Sequence, residues 1–429
     1  MKQFLILIFL IFNFSNALAA NDLIFFLESA YKNNHKLNAE RENLKAIKQN
    51  LNISKSDFLP SISLSGSIDG NQSTNRTDRS GNILRDISSD TETKKISIDQ
   101  KIFSGFENYN NLKKSELEIA RAKSELINVE QLTLLNAANV YLDLIYKLKS
   151  KKFNFANVDL FERQVESDSV RMQKGEITLT DLAQSESSLA GAQAKLITAE
   201  TELLTTKANF ERIIGVKPSI ENIENINVKI NLPNSLDESL DLSKENNPKL
   251  TIAKLNYKIA EKNLSIEKAK LSPSAAINYS KSESNDYSST VDKNDQESVK
   301  ATISWPIIKG GKNYASIKKN QYKKKQSNLI LKDTINDIRT QTANAWSVYQ
   351  SATSVQNSTI AQVKAAEIAN EGITLEYDSG NTRTTLEVIQ SRSLLLDARI
   401  ANAKAQKDFI VSKFKLLETI GKLTLNSIK

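Results

Sequence analysis

The sequence that decides the fold reads FENYNNLKKSELEIARAKSELINVEQLTLLNAANVYLDLIYKLKSKKFNFANVDLFERQVESDSVRMQK over residues 106–174. It contains neither glycine nor proline, the two residues that most often interrupt a helix. As one unbroken α-helix it would be roughly 100 Å long, several times the width of a compact domain. A second run of this kind, residues 312–371, lies between Gly311 and Gly372. The sequence therefore predicts two very long helices.

The first of these runs carries a heptad pattern. Apolar residues spaced alternately by three and four positions form a seam on a helix that packs in a left-handed supercoil. Two positions of the series are polar, Ser124 and Gln131. Its apolar members are Leu117, Ala120, Ile127, Leu134, Ala138, Tyr141, Ile145 and Leu148. We therefore expect this helix to pack lengthwise along other helices.

The composition supports extended helical packing and narrows the classes of function. Hydrophobic residues make up 39% and aromatic residues 7% of the chain, which is lean for thick globular cores. The net charge is +8, but lysine and glutamate are interspersed, so we expect a solvated surface and no nucleic-acid partner. The chain has no cysteine, and its single histidine is His35. We expect no enzyme, no cofactor, no metal site and no lipid-modified N-terminal cysteine.

The first residues are typical of a secretory signal peptide. Lys2 precedes an apolar run from Phe4 to Phe12, and the sequence ALAA at 17–20 offers small residues for cleavage after Ala19. We therefore expect residues 1–19 to be removed. The alternative is a short N-terminal anchor, although the run is shorter than the ~20 residues that span a bilayer. Since no later stretch predicts a transmembrane helix, a membrane-embedded part has to consist of strands.

The rest of the chain contains an internal sequence repeat. The segment from Asn33 to Ser61 recurs from Asn246 to Ser274 at a constant offset of 213 residues, which indicates a duplication. At this offset Asn43, Lys45, Asn50, Leu51, Ile53 and Lys55 meet identical residues at Asn256, Lys258, Asn263, Leu264, Ile266 and Lys268. The predicted units are repeat 1 (20–215), a linker (216–234), repeat 2 (235–421) and a C-terminal tail (422–429).

Each repeat is predicted to contain a helix, two strands around a polar loop, a long helix and a returning helix. The opening helix of repeat 1 is expected from Asp22 to Leu59, before Pro60. A period of two follows, in which Ile62 and Leu64 alternate with serines. The predicted strands are about 61–70, 93–103, 274–281 and 299–308, with polar loops at 71–92 and 281–298. The predicted long helices are 106–174 and 312–378, and the returning helices are 178–214 and 382–420.

Strands of this length, ~9 to 11 residues, cross a bilayer when they are tilted. The alternative is the edge of a soluble sandwich, although a serine-rich second face favours water on that side. Each strand pair runs into its long helix through glycine, at Gly105 in repeat 1 and at Gly310 and Gly311 after Pro306 in repeat 2. Glycine permits the sharp change of backbone that such a junction needs.

Two motifs are specific, the sequence SWPIIKGG at 304–311 and the sequence GNTRTTLEVIQ at 380–390. With these motifs, essentially the whole mature chain resembles the TolC family of outer-membrane channel and efflux proteins. The first motif is similar to the family's Pro-aliphatic-Phe-x-Gly-Gly, with Ile308 in place of phenylalanine. The second resembles the family's Gly-Thr-Arg-Thr-x-x-Asp-Val-Leu-Asp-Ala-Gln. Its counterpart in repeat 1 runs from Gly175 through TDL at 180–182.

The resemblance implies a mostly α-helical protomer with four β-strands. Three protomers would close a twelve-stranded barrel in the outer membrane, and coiled-coil helices would form a hollow α-barrel in the periplasm. An open sheet edge in lipid leaves backbone groups unpaired, so four strands need neighbours. The repeats alone would also permit a dimer with eight strands, but side chains would fill the lumen of so small a barrel. The choice of a homotrimer therefore comes from the family.

The implied function is a passive exit duct for efflux or type I secretion, which would work with a periplasmic adaptor protein and an inner-membrane pump of the ABC or RND type. The competing hypothesis is a periplasmic coiled-coil scaffold without a pore. That hypothesis explains the heptads but not the alternating strands with glycine junctions. The sequence does not indicate the cargo, because walls of serine, asparagine, threonine and lysine are generic.

The family resemblance also implies a closed tip where the long helices turn back, held by polar contacts between helical hairpins. The matching residues are Thr180 and Asp181 in repeat 1 and Tyr377 and Arg383 in repeat 2. Arg383 and Tyr377 would donate hydrogen bonds, and Asp181 and Thr180 would accept them. The alternative is that all four are ordinary surface residues on helix turns, where exposed pairs contribute little.

Two further features of the tip depart from the family. Family members often have two acidic rings at the constriction; Glu387 keeps the first, and Gln390 loses the second, so a weaker field for cations is expected. The family's tip turns often have valine before glycine for adaptor docking. Lys174 before Gly175 and Ser379 before Gly380 occupy those places, which predicts a more polar docking surface.

Overall fold

The computed structural model describes residues 22–70, 76–84, 90–218, 230–288, 291–308, 310–379 and 383–428. The predicted signal peptide, Gly380 and residues 219–229 of the predicted linker lie outside the described residues. The helices are α1 (Asp22–Asn33), α2 (His35–Ser56), α3 (Glu107–Gln173), α4 (Leu179–Ile214), α5 (Leu236–Asn246), α6 (Pro248–Ala269), α7 (Lys312–Asp378) and α8 (Thr385–Thr419). The strands are β1 (Ser61–Asp69), β2 (Arg76–Thr77), β3 (Ile83–Leu84), β4 (Thr91–Phe103), β5 (Ser274–Ser288) and β6 (Val291–Ser304). The predicted class, mostly helical with four principal strands, is confirmed.

The chain divides into two units. The helical unit consists of Met1–Arg41, Ser124–Thr251 and Asp333–Lys429, and the sheet unit consists of Glu42–Lys123 and Ile252–Lys332. Among the described residues, none of the helices is apolar over a stretch long enough to cross a membrane.

The sheet unit is built on an antiparallel sheet in the order β1-β4-β5-β6. The register places Ile62, Ile98, Tyr279 and Val299 in one row across the four strands. Because side chains alternate between faces, Leu64, Ile96, Ile277 and Ile303 lie on the same face as this row, and we call it the apolar face. The charged Lys281 and Glu297 lie on the same face in an adjacent row. Polar and charged side chains cover the other face, where Asn278–Asp99 (2.7 Å), Thr93–Ser284 (3.0 Å) and Ser280–Ser298 (3.0 Å) hydrogen bond across strands. β1 and β6 are the edges.

The polar loop predicted at 281–298 is wrong, because most of it is strand. β5 continues to Ser288, and β6 begins at Val291. The ladder pairs Lys281 with Glu297, and Lys293 forms an ion pair with Glu283 at 2.6 Å. Ladder hydrogen bonds and cross-strand charge pairs sustain a strand without hydrophobic alternation.

The predicted end of the last strand, residue 308, is also wrong, because β6 ends at Ser304. Pro306 follows two residues later and has no N–H to donate to a ladder. In repeat 1, the loop predicted at 71–92 contains the short pair β2 and β3, and β4 begins at Thr91.

The opening helix of each repeat breaks at an asparagine, so the single helix predicted from Asp22 to Leu59 is wrong. Asn34 separates α1 from α2, and its side-chain amide donates to the carbonyl of Ile213 at 3.1 Å. Asn247, its equivalent at the 213-residue offset, separates α5 from α6 and donates to the carbonyl of Thr419 at 2.7 Å. Both asparagines thus satisfy carbonyls at the ends of the returning helices α4 and α8.

The core of the helical unit forms where α1, α3, α4 and α8 meet. Phe26 packs edge-on against Phe210 at 5.1 Å between ring centroids, and both rings are buried. The predicted heptad seam of α3 contributes Leu134, Ala138, Tyr141 and Ile145 to this core. Its polar member Gln131 is also buried and donates to the carbonyl of Gly421 at 2.8 Å. Ile127, however, is 45% exposed in the single chain.

Candidate functional site

The candidate site is the tip, which we define as the turn from α3 to α4 and the turn from α7 to α8. Each returning helix begins with a capping box. Thr178 caps α4, and the Asp181 carboxylate accepts from its hydroxyl at 2.7 Å and from its N–H at 3.0 Å. Thr384 caps α8, and Glu387 accepts from its N–H at 2.8 Å and from its hydroxyl at 3.1 Å. The two halves of the tip thus share one local design.

These caps keep both carboxylates ionised. Hydrogen bonds from the Thr178 hydroxyl and N–H lower the pKa of Asp181. The Thr384 N–H, assisted by the Arg383 guanidinium, lowers the pKa of Glu387. At neutral pH each copy of the chain therefore presents these two negative charges near its tip turns.

Arg383 joins the end of α7 to the start of α8. Its Nε lies 2.6 Å from Glu376, and its Nη1 lies 2.9 Å from Glu387. These carboxylates raise the pKa of Arg383. Both of these partners belong to the hairpin of Arg383 itself, and the contact of Arg383 with Asp181 or Thr180 stays a prediction.

Tyr377 is buried and makes a different contact from the predicted one. Its hydroxyl donates to the Asp168 carboxylate at 2.8 Å and lies 3.1 Å from the hydroxyl of Thr385. Asp168 is fully buried, whereas Asp181 lies near the surface. Burial, with the Asp168 charge, raises the pKa of Tyr377, so the phenol stays protonated and remains a donor. The acceptor for Tyr377 within the chain is therefore Asp168.

Asp168 was not predicted from the sequence, because the heptad seam was traced only as far as Leu148. In the last turns of α3 the buried positions again follow a 3,4 spacing, but most of them are polar. This series is Asn154, Asn157, Phe161, Gln164 and Asp168, and Val158 is buried beside it. This spacing was the signal in the sequence that could have found the buried carboxylate.

The remaining predicted tip residues that the structure describes lie at the surface. Thr180, Gln390 and Lys174 are exposed, and Ser379 follows the last residue of α7. Glu387 and Gln390 border a shallow groove of about 190 Å³, whose other walls are Ala366, Ala369, Ile373, Ser391 and Leu394. Within the described ranges, no cluster of three carboxylate or imidazole groups could hold a metal ion.

The strand-to-helix junction in repeat 1 requires glycine. Gly105 has φ +62°, and a Cβ there would lie 2.6 Å from the Ser272 Cβ and 2.7 Å from the Ala269 carbonyl oxygen. In repeat 2 the chain leaves β6 through Trp305, whose indole N–H donates to the Leu271 carbonyl at 3.1 Å. Pro306, Gly310 and Gly311 follow, and both of these glycines have positive φ.

A sheet with an apolar face, joined by glycine to long helical hairpins with capped returning helices, defines a class of outer-membrane channel protein. The sequence profile of the family described as "Outer membrane efflux protein" matches residues 26–216 and 239–422. The chain therefore belongs to the outer membrane efflux protein family. It is an outer-membrane exit duct with a periplasmic part, and it is not an enzyme.

Individual relatives cover nearly the whole chain. The outer membrane efflux protein BepC of Brucella suis is 26% identical over 403 residues, which are 94% of this chain and 86% of BepC. The outer membrane protein TolC of Salmonella enteritidis is 21% identical over 421 residues, 96% of this chain and 84% of TolC. The crystal structure of VceC from Vibrio cholerae has the same fold, with a TM-score of 0.79, 18% identity and coverage of 93% and 96% of the two chains.

Proposed function

We propose that three copies of this chain form one duct, with a barrel of twelve strands in the outer membrane. The observation that carries the proposal is the sheet itself. Its apolar face is exposed in the single chain, for example at Leu64 (78%) and Ile303 (80%). Within the described chain, no further strand pairs with the outer edge of β1 or of β6. Pairing β1 of one copy with β6 of the next would satisfy both edges and turn every apolar face toward lipid.

The polar face would then line the lumen, and the helical hairpins would prolong the duct into the periplasm. A passive duct needs an energised partner, so we propose that an inner-membrane pump of the ABC or RND type delivers the cargo through a periplasmic adaptor protein. Lys174 and Gly175, with Ser379 and Gly380, would form the polar docking surface for that adaptor. The family relationship supports partners of this kind, and the cargo is proposed only as solutes or unfolded polypeptides.

The proposed function is tested by planar-bilayer recording of the purified protein. We expect a stable pore of small conductance, because the tip restricts the passage of ions. A protein that never conducts, either alone or with tip variants, would contradict the duct. The scaffold alternative is tested by fractionation without detergent, since a scaffold would leave with the soluble periplasm and a duct would stay with the outer membrane.

We further propose that the tip is the gate and that Arg383 helps to keep it closed. Arg383→Ser removes the contacts to Glu376 and Glu387 that join α7 to α8. Because these pairs are exposed and screened, we expect a moderate rise in conductance and in antibiotic leakage, about two- to fivefold. The matched control is Arg399→Ser, since Arg399 also joins α8 to α7, through Glu367 at 2.9 Å, but lies away from the tip. Equal permeability of the two variants at normal protein levels would remove Arg383 from the gate.

A further inference from the structure

The tip contains one carboxylate that touches both helical hairpins. Asp168, near the end of α3, accepts from the Tyr377 hydroxyl of α7 at 2.8 Å and from the Ser185 hydroxyl of α4 at 2.6 Å. The Gln164 amide, one turn earlier on α3, donates to it at 2.9 Å. The Tyr377 hydroxyl in turn lies 3.1 Å from that of Thr385 on α8. Asp168 therefore contacts side chains of α3, α4 and α7, and α8 joins this network through Tyr377.

This network is closed to water. Asp168 and Ser185 are fully buried, and Gln164, Tyr377 and Thr385 are at most 5% exposed. A buried carboxylate is stable only when hydrogen bonds and nearby cations replace its hydration. Here the hydrogen-bond donors come from three helices, so separating the hairpins would leave the carboxylate short of a partner and admit water. The exposed groups Asp181 and Arg383 lack this property, because their partners lie within their own hairpins.

Two arginines strengthen the connection. The Arg171 guanidinium of α3 lies 4.6 Å from the centroid of the Tyr377 ring and also contacts Glu176 in the turn before α4. Arg392 of α8 donates to the Leu160 carbonyl of α3 at 3.3 Å and lies within electrostatic range of Asp168. Movement of Tyr377 away from Asp168 would therefore also disturb the cation–π contact with Arg171.

We propose that Asp168 is the positioning residue that latches the two hairpins together within each copy, and that opening of the tip requires the Tyr377–Asp168 hydrogen bond to break. This inference rests on the proposed role of the tip as a gate. In this proposal the acceptor for Tyr377 is Asp168 on the buried face of α3. The family pattern instead suggests Asp181, on the exposed part of the returning helix α4.

The test compares single-channel recordings of purified Tyr377→Phe, Asp168→Ala and Asp168→Asn with those of the parent. Tyr377→Phe removes one oxygen and Asp168→Ala removes the acceptor, so each is expected to raise the open probability about tenfold, as loss of a charge-assisted hydrogen bond does to an equilibrium. Asp168→Asn keeps an oxygen that can accept from Tyr377 and should open less than Asp168→Ala. The double variant Asp168→Ala/Tyr377→Phe should open no more than Asp168→Ala alone, because the Tyr377–Asp168 contact is already absent in the single variant.

The matched control is Asp159→Ala, an exposed aspartate of the same helix that pairs with Arg163 at 3.0 Å and should gate like the parent. If Asp168→Ala fails to assemble, the milder Tyr377→Phe decides the question. Parent-like gating of properly assembled Tyr377→Phe would overturn the latch and leave the duct standing. Absence of conductance in the parent and in every variant, Arg383→Ser included, would instead overturn the duct and the latch together.

Discussion

Replacing Gly421 by alanine is expected to prevent assembly of the channel. Gly421 follows α8 with φ +77°, a conformation that alanine adopts only with strain. A Cβ there would overlap the carbonyl group of Asn246 and lie 2.8 Å from the Asn247 nitrogen, at the break between α5 and α6. These are backbone atoms, so no side chain can swing away.

The same substitution would disturb two hydrogen bonds of the core. Gln131 donates to the Gly421 carbonyl, and Asn247 donates to the nearby Thr419 carbonyl. Strain, overlap and lost buried hydrogen bonds together should cost about 3 to 5 kcal/mol of unfolding free energy, a large share of the total for most domains. Thermal unfolding and the amount of assembled protein in outer membranes measure the loss.

The matched control is Gly191→Ala. Gly191 lies in α4 with open space around its Cβ position, so alanine there should be neutral or stabilise the helix by about 0.5 to 1 kcal/mol. A Gly421→Ala protein that unfolds and assembles like the Gly191→Ala protein would show that the contact between the end of α8 and the α5–α6 break is not needed.

The second large effect is expected on the sheet. Val299 is 73% exposed in the single chain and lies on the apolar face of the edge strand β6. Under the proposed assembly Val299→Arg would place a charge in lipid, at about 2 to 4 kcal/mol per copy near the bilayer midplane. Each assembly would carry three such charges, so insertion into the outer membrane should fail.

Ser298→Arg is the matched control for this substitution, because Ser298 is the preceding residue and faces the other way. A lumen-facing arginine should leave insertion intact and alter ion selectivity instead. Membrane fractionation and recordings of both variants provide the comparison. Equal insertion of the two would contradict the assignment of the sheet faces.

The long helices were predictable from the sequence because their cause is local. Residues 107–173 contain no glycine or proline, and the helix bounds differ from the predicted 106–174 by one residue at each end. The break at Asn34 was not predictable in this way, because its partner carbonyl at Ile213 is 179 residues away. A single asparagine changes helix propensity only slightly, so tertiary hydrogen bonding decides where the helix ends.

The candidate site shows the same division between local and distant causes. The family pattern located the tip, and the caps formed by Thr178 and Thr384 follow from their own neighbours in sequence. Which acceptor Tyr377 contacts depends on how four helices pack, and Asp168 lies 209 residues away in the chain. The extra strand length in repeat 2 was not predicted because residues 281–288 lack apolar alternation. Pairing with the neighbouring strands stabilises them instead.

Disulfide cross-linking can show whether neighbouring copies complete the membrane wall, because the chain has no cysteine of its own. Cysteines at Ser65 of β1 and, in three separate variants, at Gln296, Ser298 or Lys300 of β6 would sample the possible registers between edges. Within one chain these strands are three spacings apart, roughly 14 Å, which is too far for a disulfide. We predict that at least one oxidised variant runs as a covalent trimer in denaturing electrophoresis without reductant, and that single-cysteine variants do not. Monomers in all three oxidised variants would contradict pairing of β1 with β6 of a neighbouring copy.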